Sequence, residues 1–146
     1  MTLLRPATPL DAGRVGAILS AWIDETPWMP RIHTRAEDIA HADMMVRQGW
    51  VTVSENETIN GFLARNGDDI HALYIAPDAR GQGVGSRLLI DAMHKNDQLS
   101  LWTLQANTRA QAFYERHGFT AVERTDGARN DEGLPDIRYH WQRTDA

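Results

Sequence analysis

Three glycines alternate along a short segment that connects an apolar stretch to a helical pattern. The segment reads IHALYIAPDARGQGVGS, and its glycines are Gly81, Gly83 and Gly85. Glycine lacks a Cβ atom, so a chain rich in it can adopt positive φ and let a ligand approach its amides. The first N–H groups of a helix lack intrahelical partners and the helix dipole is positive there, so these amides attract anions. The segment therefore predicts a strand, a phosphate-binding loop and a helix, in that order.

The glycine spacing differs from that of two common nucleotide-binding motifs. A P-loop needs Gly-Lys followed by Ser or Thr, and no lysine follows any of these glycines. A dinucleotide-binding fingerprint has the form G-x-G-x-x-G, but counting from Gly81 places Ser86 at the third glycine position. The ligand is therefore a different phosphate compound, or else the loop is a glycine-rich turn with only a structural role.

Composition limits the kinds of protein that the chain can be. Its 146 residues suit one domain with a single sizeable core, so we expect one domain over residues 1–146. A net charge of −5 argues against a nucleic-acid partner or an anionic membrane. The absence of cysteine excludes disulfides, thiolate nucleophiles and cysteine-based zinc sites. No apolar run approaches the roughly 20 residues of a membrane span, so we expect a soluble cytoplasmic protein.

The first half of the chain predicts one strand, two helices and a three-stranded meander. TLLRPA is the first strand, and apolar residues then recur at helical spacing over residues 9–26 and 35–47. WVTVSENETINGFLAR predicts two strands around a tight turn at residues 55–57, and IHALYI follows the turn NGDD. We expect these three strands to be antiparallel neighbours.

The second half alternates helices and strands. An apolar helical face follows the glycines, and the strand LSLWTL follows that helix. Asn107 is placed to cap a helix over residues 108–117, and Gly118 is placed to end it. FTAVER and IRYHWQ are the last two strands. The order β-α-α-β-β-β-α-β-α-β-β predicts an α/β fold of the α+β type, with helices flanking a mixed, mostly antiparallel sheet.

Two motifs carry a resemblance to a known family. RGQGVG, from Arg80 to Gly85, resembles the Q/R-x-x-G-x-G/A signature of the GNAT superfamily of N-acetyltransferases. NTRAQAFYERHGF, which begins at Asn107, is similar to the segment N-x-x-A-x-x-F-Y-x-x-x-G-F of many members. The specific motifs lie between residues 69 and 119, while the order of elements extends the resemblance over nearly the whole chain. It implies a GNAT-like domain that moves an acetyl group from acetyl-CoA directly to a primary amine of a small molecule, peptide or protein.

The resemblance also implies where acetyl-CoA binds. Its pyrophosphate would rest on the amides from Gln82 to Ser86, and its pantetheine arm would add to the strand edge at Leu73, Tyr74 and Ile75. An amide near Leu73 or Tyr74 would stabilise the oxyanion at the thioester. The cofactor-binding residues implied in this way are Leu73, Tyr74, Ile75, Arg80, Gly81, Gln82, Gly83, Val84, Gly85, Ser86, Asn107 and Tyr114.

Catalysis would need an acid for the CoA thiolate and a base for the amine. Tyr114 matches the family's tyrosine for the first step, and a phenol with a pKa of about 10 is protonated at neutral pH. An alkyl amine with a pKa of about 10.4 must lose a proton before it attacks. Asp69 stands where histone-modifying members have a glutamate, and His71 lies two residues on; either could act directly or through water. The structural alternatives are ring packing for Tyr114, a turn role for Asp69 and a strand role for His71.

The acceptor site has weaker signals. Trp22, Trp28, Met29 and Pro30 either border the acceptor cleft or belong to the core, and the polar loop of residues 125–136 could close over it from the other side. Glu37 and His41 are spaced like metal ligands, but a solvated helix face explains them better, so we expect no metal. The expected partners are acetyl-CoA and an amine, with a homodimer open. The alternative functions are transfer of another acyl group, acetylation of an alcohol, and a non-catalytic acyl-CoA sensor or interaction module.

Overall fold

The computed structural model describes residues 2–144, and it confirms the predicted order of strands and helices. The strands are β1 (Leu3–Pro6), β2 (Val51–Asn56), β3 (Thr58–Asn66), β4 (Asp69–Ile75), β5 (Gln98–Leu104), β6 (Thr120–Thr125) and β7 (Asp136–Gln142). The helices are α1 (Ala12–Glu25), α2 (Arg35–Arg47), α3 (Val84–Lys95) and α4 (Thr108–Arg116), with short 3-10 turns at Pro9–Asp11 and Pro77–Ala79. None of the helices within residues 2–144 has the length and apolar character needed to cross a bilayer.

All seven strands form one sheet in the order β1-β2-β3-β4-β5-β7-β6. Every neighbouring pair is antiparallel except β4 and β5, which are parallel. The prediction of a mixed, mostly antiparallel sheet is therefore confirmed, including the meander of β2, β3 and β4. The turn between β2 and β3 contains Glu57 at a φ of 67°, within the predicted range of 55–57.

The pairing of β4 with β5 stops after two residue pairs. Asp69 lies opposite Ser100 and Ile70 opposite Leu101, and beyond these the two strands run apart. On its other edge, β4 contains a bulge, because Ala72 pairs with Ala64 and Ile70 pairs with Arg65, which leaves His71 as an extra residue. A bulge bends its strand and increases the local twist. The bulge at His71 thus coincides with the point where β4 leaves β5 and a wedge opens in the sheet.

Each face of the sheet has its own hydrophobic core. Helices α3 and α4 cover one face, where Leu88 and Leu89 are at most 1% exposed. Helices α1 and α2 cover the other face, where Val15 and Ile18 pack on Phe62. Burying one such aliphatic side chain stabilises the fold by about 2 kcal/mol. The first core includes residues of β5, whereas the second lies mainly against β2 and β3.

The ends of α4 follow the local signals in the sequence. The side chain of Asn107 accepts a hydrogen bond from the Ala110 amide at 3.1 Å, which is the N-cap bond expected for this residue. Gly118 has a φ of 89°, the left-handed conformation that glycine adopts where a helix ends. Both predictions about this helix are confirmed, and the two signals fix the position of Tyr114 within it.

Candidate active site

Two of the three alternating glycines are required by the backbone. Gly81 has a φ of 77° and Gly83 a φ of 84°, and Gly83 is the N-cap of α3. A side chain at either position would be strained, although it would meet no other atom within 4 Å. Gly85 lies inside the helix without positive φ, and a Cβ there would lie 3.5 Å from the Phe113 ring, which is ordinary contact. Gly81 and Gly83 therefore shape the loop.

The start of α3 offers unpaired amides to a ligand. The first amide of α3 in an intrahelical bond is that of Arg87, which donates to the Gly83 carbonyl at 3.1 Å. The N–H groups of Val84, Gly85 and Ser86 precede it and have no intrahelical acceptor. The first turn carries no acidic residue. The loop thus fits a phosphate group, with the positive end of the helix dipole behind it.

The side chains of this loop point in different directions. Val84 is 6% exposed and belongs to the core beneath the sheet, so only its main chain can reach a ligand. Gln82 is exposed, and its side-chain amide donates to the Asp78 carbonyl at 3.3 Å. Arg80 donates from Nε to the Ile75 carbonyl at 3.2 Å and forms an ion pair with Glu25 at the end of α1. Arg80 therefore connects the loop to both β4 and α1.

Successive residues of β4 direct their main-chain N–H and C=O groups alternately toward β3 and away from it. This alternation determines which of these groups face the wedge. The Ala76 amide donates to the Asn60 carbonyl at 2.9 Å, and the register pairs Tyr74 with Phe62. In antiparallel strands, residues alternate between bonding to the partner and pointing away from it. Ala72, Tyr74 and Ala76 therefore bond to β3, while the N–H and C=O groups of Leu73 and Ile75 face β5. Tyr74 contributes its side chain to the site, because its main chain is used in the sheet.

The wedge forms a cleft of about 550 Å³. Its walls are β4 from Ile70 to Ile75, β5 from Leu101 to Thr103, the glycine loop at Arg80, Gly81 and Gly85, and α4 with its cap Asn107. We call this space the donor cleft, after the donor site expected from the sequence. Three arginines line it, namely Arg80, Arg109 and Arg116, and no acidic residue within residues 2–144 does. A cleft with this charge and an unpaired strand edge fits an extended ligand that ends in phosphates.

Tyr114 packs among aromatic rings and also lines the cleft. The residue is 8% exposed, and its ring contacts those of Phe113, Phe119 and Tyr139. It nevertheless lines the donor cleft. Burial raises the pKa of the Tyr114 phenol above its ordinary value, and the nearby Tyr74 phenol raises it further. The hydroxyl therefore stays protonated at neutral pH and can donate a proton.

A second cleft of about 560 Å³ adjoins the first. It lies between α1, α2 and β4, with Asp131 and Glu132 of the β6–β7 loop on its other side. The two clefts share four residues, Trp22, His71, Ala72 and Tyr74. We call this second space the acceptor cleft, after the acceptor site expected in this region. The β6–β7 loop contributes Asp131 and Glu132 to its lining.

Some of the residues expected to border the acceptor line this cleft, and others lie behind it or outside it. Trp22 and Met29 line the acceptor cleft. Trp28 packs edge-on against Trp22, with ring centroids 5.9 Å apart, and lines neither cleft. Pro30 is exposed and also lines neither cleft. Trp22 therefore stands at the junction of the two clefts, with Trp28 behind it.

The structure separates the two candidate bases. His71 lines both clefts, and its ring stacks on Trp50 with centroids 4.9 Å apart and planes at 9°. The bulge in β4 turns this histidine toward the junction. Asp69 is the exposed first residue of β4, beside the last β4–β5 pairs, and it lines neither cleft. Of the two, only His71 lines the clefts.

Several residues that line the clefts are not specified by the two sequence motifs. Arg109 and Arg116 lie on one face of α4 together with Ala112 and Phe113, at the spacing i, i+3, i+4 and i+7. That periodicity could have identified them as a group. Asp131 and Glu132 lie in an irregular loop, where no spacing rule assigns a side chain to a cleft.

Comparisons with known proteins agree with this architecture. The model of the acetyltransferase (GNAT) domain family matches residues 37–121, which include the glycine loop, both strands of the wedge and α4. The peptidyl-lysine N-acetyltransferase YjaB of Escherichia coli is 32% identical over 93 residues, 64% of this chain and 63% of that protein. The protein of the same name from Salmonella typhimurium is 35% identical over 77 residues, 53% of each chain. These matches thus span between about half and two thirds of the relatives' length.

Solved structures share the fold over nearly the full chain. The solution structure of apo-form YjaB from Escherichia coli has a TM-score of 0.80 at 24% identity and covers 97% of both chains. A GCN5-related N-acetyltransferase from Rhodopseudomonas palustris has a TM-score of 0.82 at 25% identity, with 98% of this chain and 96% of that chain covered. The yncA structure from Salmonella typhimurium, with its cofactor acetyl-CoA, has a TM-score of 0.73 at 19% identity and covers 100% and 96%.

Proposed function

Because the chain belongs to the GNAT family of acetyltransferases, we propose that it is an acetyl-CoA-dependent N-acetyltransferase that acetylates a primary amine directly. The observation that carries the proposal is the wedge, where the edge of β4 that β5 leaves unpaired, the glycine loop before α3 and Tyr114 line one cleft. The peptidyl-lysine relatives support an amine as the acceptor. The acceptor belongs to a small molecule, a peptide or a protein.

The donor cleft would hold acetyl-CoA through main-chain groups and arginines. The free amides of Val84, Gly85 and Ser86 would bind the pyrophosphate, and hydrogen bonds of this charge-assisted kind stabilise a complex by roughly 1.5–3 kcal/mol each. Arg80, already beside the loop, would add a positive charge. Gln82 and Gly81 would contribute main-chain amides of the same loop. Bound acetyl-CoA supplies an acetyl group activated as a thioester.

The edge of β4 would orient the pantetheine arm. The N–H and C=O of Leu73 and the N–H of Ile75 face the wedge and can bond to an extended chain of amides as a neighbouring strand would. The Ile75 carbonyl already accepts from Arg80. The Leu73 amide lies next to the junction residues Ala72 and Tyr74, so it is the main-chain donor best placed for the thioester oxygen. A preorganised amide of this kind stabilises developing negative charge on that oxygen. Asn107 lines the same cleft and fixes the start of α4 beside the arm.

Proton transfers are assigned to Tyr114 and His71. Tyr114 would donate its phenolic proton to the departing CoA thiolate, and burial keeps that proton in place at neutral pH. His71 would accept the proton of the amine, directly or through water, because it lines both clefts at their junction. Asp69 lines neither cleft, so it could take part only through a chain of waters. Because the sequence contains no cysteine, no acetyl-cysteine intermediate can form on the protein. The acetyl group would instead pass directly from acetyl-CoA to the amine.

A panel of amines tests this function. CoA release from acetyl-CoA would be followed with alkyl amines, amino acids and lysine-containing peptides, and mass spectrometry would identify the acetylated nitrogen. We expect CoA release that depends on the amine, with one acetyl group added per CoA released. A protein that binds acetyl-CoA in calorimetry yet releases no CoA with any amine would instead be a sensor.

A further inference from the structure

The two adjoining clefts have opposite charge. Three arginines and no acidic residue line the donor cleft within residues 2–144. In the same part of the chain, four acidic residues and no lysine or arginine line the acceptor cleft, namely Glu37, Asp38, Asp131 and Glu132. A cleft lined by one sign of charge concentrates ligands of the opposite sign. The acceptor cleft is therefore suited to a cation.

The charges of two of these carboxylates are used within the protein. Asp38 is 4% exposed and bonds to Arg31 at 2.9 Å. Glu37 accepts a hydrogen bond from the Thr34 amide at 2.9 Å and lies 3.8 Å from a ring nitrogen of His33. Both side chains hold α2 and the loop before it in place. Neither is free to turn toward a ligand without breaking these bonds.

The other two carboxylates have no such partner. Among residues 2–144, the carboxylates of Asp131 and Glu132 form no hydrogen bond or ion pair. Glu132 is the less exposed of the two and lies close enough to Tyr74 to affect its hydroxyl. Burial, with a further contribution from the Glu132 charge, raises the pKa of Tyr74 to about 12. Glu132 thus lies near one of the four residues that both clefts share.

The loop that carries Glu132 is held in shape by Asn130. The Asn130 side chain donates to the Leu134 carbonyl at 2.7 Å and to the Asp136 carboxylate at 3.1 Å. It also accepts a bond from the Leu134 amide at 3.2 Å. These bonds cross-link the turn on both sides of Glu132. The turn brings Glu132 to the lining of the acceptor cleft.

Aromatic rings complete the surroundings of a cation at this position. Trp22 and Tyr74 both line the acceptor cleft, and their ring centroids are 5.2 Å apart. The faces of such rings attract alkylammonium and guanidinium groups. The attacked nitrogen itself must be neutral when it reacts, so a carboxylate does not favour its reactive form. The carboxylate and the rings are better matched to a second group on the same acceptor, one that keeps its positive charge while the attacked nitrogen reacts.

We propose that Glu132 binds a second positive charge of the acceptor, so that the protein selects amines that carry another cationic group besides the nitrogen to be acetylated. This inference rests on the proposed function. The shared chemistry is a dication, which a free diamine provides by itself and a lysine peptide provides through a basic neighbour.

The test compares cadaverine with pentylamine, which have the same carbon chain and differ by one ammonium group. We expect kcat/KM to be at least tenfold higher for cadaverine, well beyond the twofold advantage of its two equivalent nitrogens. Glu132→Gln should raise KM for cadaverine about tenfold, leave KM for pentylamine unchanged and remove the preference. Glu123→Gln, on the exposed strand β6 outside both clefts, is the matched control. Equal use of the two members in both this amine pair and the peptide pair described next, or a preference that survives Glu132→Gln, would overturn the proposal.

Further experiments distinguish a free diamine from a lysine peptide as the source of the second positive charge. They also separate failure of this inference from failure of the proposed function. Two capped lysine peptides, one with arginine and one with glutamine beside the lysine, are compared in the same way. A preference within the amine pair or within the peptide pair supports the role of Glu132. A preference in only one of these pairs shows whether a free diamine or a lysine peptide supplies the second positive charge. If no amine is acetylated, the proposed function fails. Calorimetric binding of cadaverine and pentylamine in the presence of CoA then still decides whether Glu132 selects a dication.

Discussion

The amide of Ala76 donates to the carbonyl of Asn60 at 2.9 Å, and this bond fixes the orientation of every peptide group along the second half of β4. Leu73 and Ile75 must then point their amides into the wedge. The consequence is that one peptide N–H, and not a side chain, would stabilise negative charge during the reaction. A main-chain donor of this kind can be tested only by removing the N–H itself.

Leu73→Pro removes the wedge-facing N–H while leaving the β3–β4 hydrogen bonds in place. We expect kcat to fall about 100-fold, the usual loss for one oxyanion donor. Leu73→Ala is the control, because it loses the same side chain but keeps the amide. Steady-state kinetics of the two variants, with circular dichroism to verify folding, separate the amide from the side chain. Equal kcat values in both variants would assign the oxyanion donor elsewhere.

Gly83→Ala should weaken acetyl-CoA binding more than it weakens the fold. Gly83 has a φ of 84° at the N-cap of α3, where an added methyl group would meet no other atom within 4 Å but would stand next to the amides proposed to bind phosphate. The left-handed conformation itself costs alanine about 1–2 kcal/mol. Gly49→Ala is a matched control, since Gly49 has a φ of 77° and equally open surroundings but follows α2. We expect similar thermal stability in both variants and a calorimetric loss of CoA affinity, about tenfold or more, only for Gly83→Ala.

Tyr114→Phe should separate binding from turnover. The phenylalanine keeps the ring contacts with Phe113 and Phe119, so acetyl-CoA affinity should stay the same. Loss of the proton donor should lower kcat by roughly 100-fold, the lower end of the usual range for acid–base catalysis. Tyr139→Phe removes another hydroxyl of the same core, which donates to Glu115 at 2.7 Å, and should cost about 1 kcal/mol of stability without changing kcat. Full activity in Tyr114→Phe would remove this hydroxyl from the mechanism.

The raised pKa of Tyr114 predicts how kcat/KM depends on pH. A phenol is the proton donor only below its pKa, and burial moves that pKa above the ordinary value of about 10. The acceptor amine, in contrast, becomes reactive as pH rises and it loses its proton. We therefore expect kcat/KM to rise from about pH 6 to about pH 10 with no descending limb from Tyr114. A fall beginning near pH 8 in a protein that remains folded would contradict this assignment of the acid.

The sequence was sufficient for the parts of the site that local rules determine. Positive φ at Gly81 and Gly83, the cap at Asn107 and the helix end at Gly118 each follow from the chemistry of a single residue. The order of strands and helices follows from hydrophobic periodicity in the same way. These features place the phosphate-binding loop and Tyr114 without reference to distant parts of the chain.

Other parts of the site depend on pairing between distant segments. The bulge at His71 exists only in relation to Ala64 and Arg65 on the partner strand, so the sequence of β4 cannot reveal it. The register of β3 and β4 likewise decides that Leu73 offers its main chain and Tyr74 its side chain. Glu132 reaches the acceptor cleft on a loop stabilised by nonperiodic side-chain bonds. Register and loop shape are tertiary properties, which explains why these roles needed the structure.

The short pairing of β4 with β5 has a consequence for how the protein avoids unwanted association. A strand edge with free N–H and C=O groups normally invites pairing with another polypeptide, and proteins cover or charge such edges at the margins of their sheets. Here the free edge lies in the middle of the sheet, with β5, β7 and β6 beyond it. Another chain cannot align along it without displacing β5 and α4. The protein therefore keeps a reactive stretch of backbone available to a thin, extended small molecule while shielding it from β-aggregation.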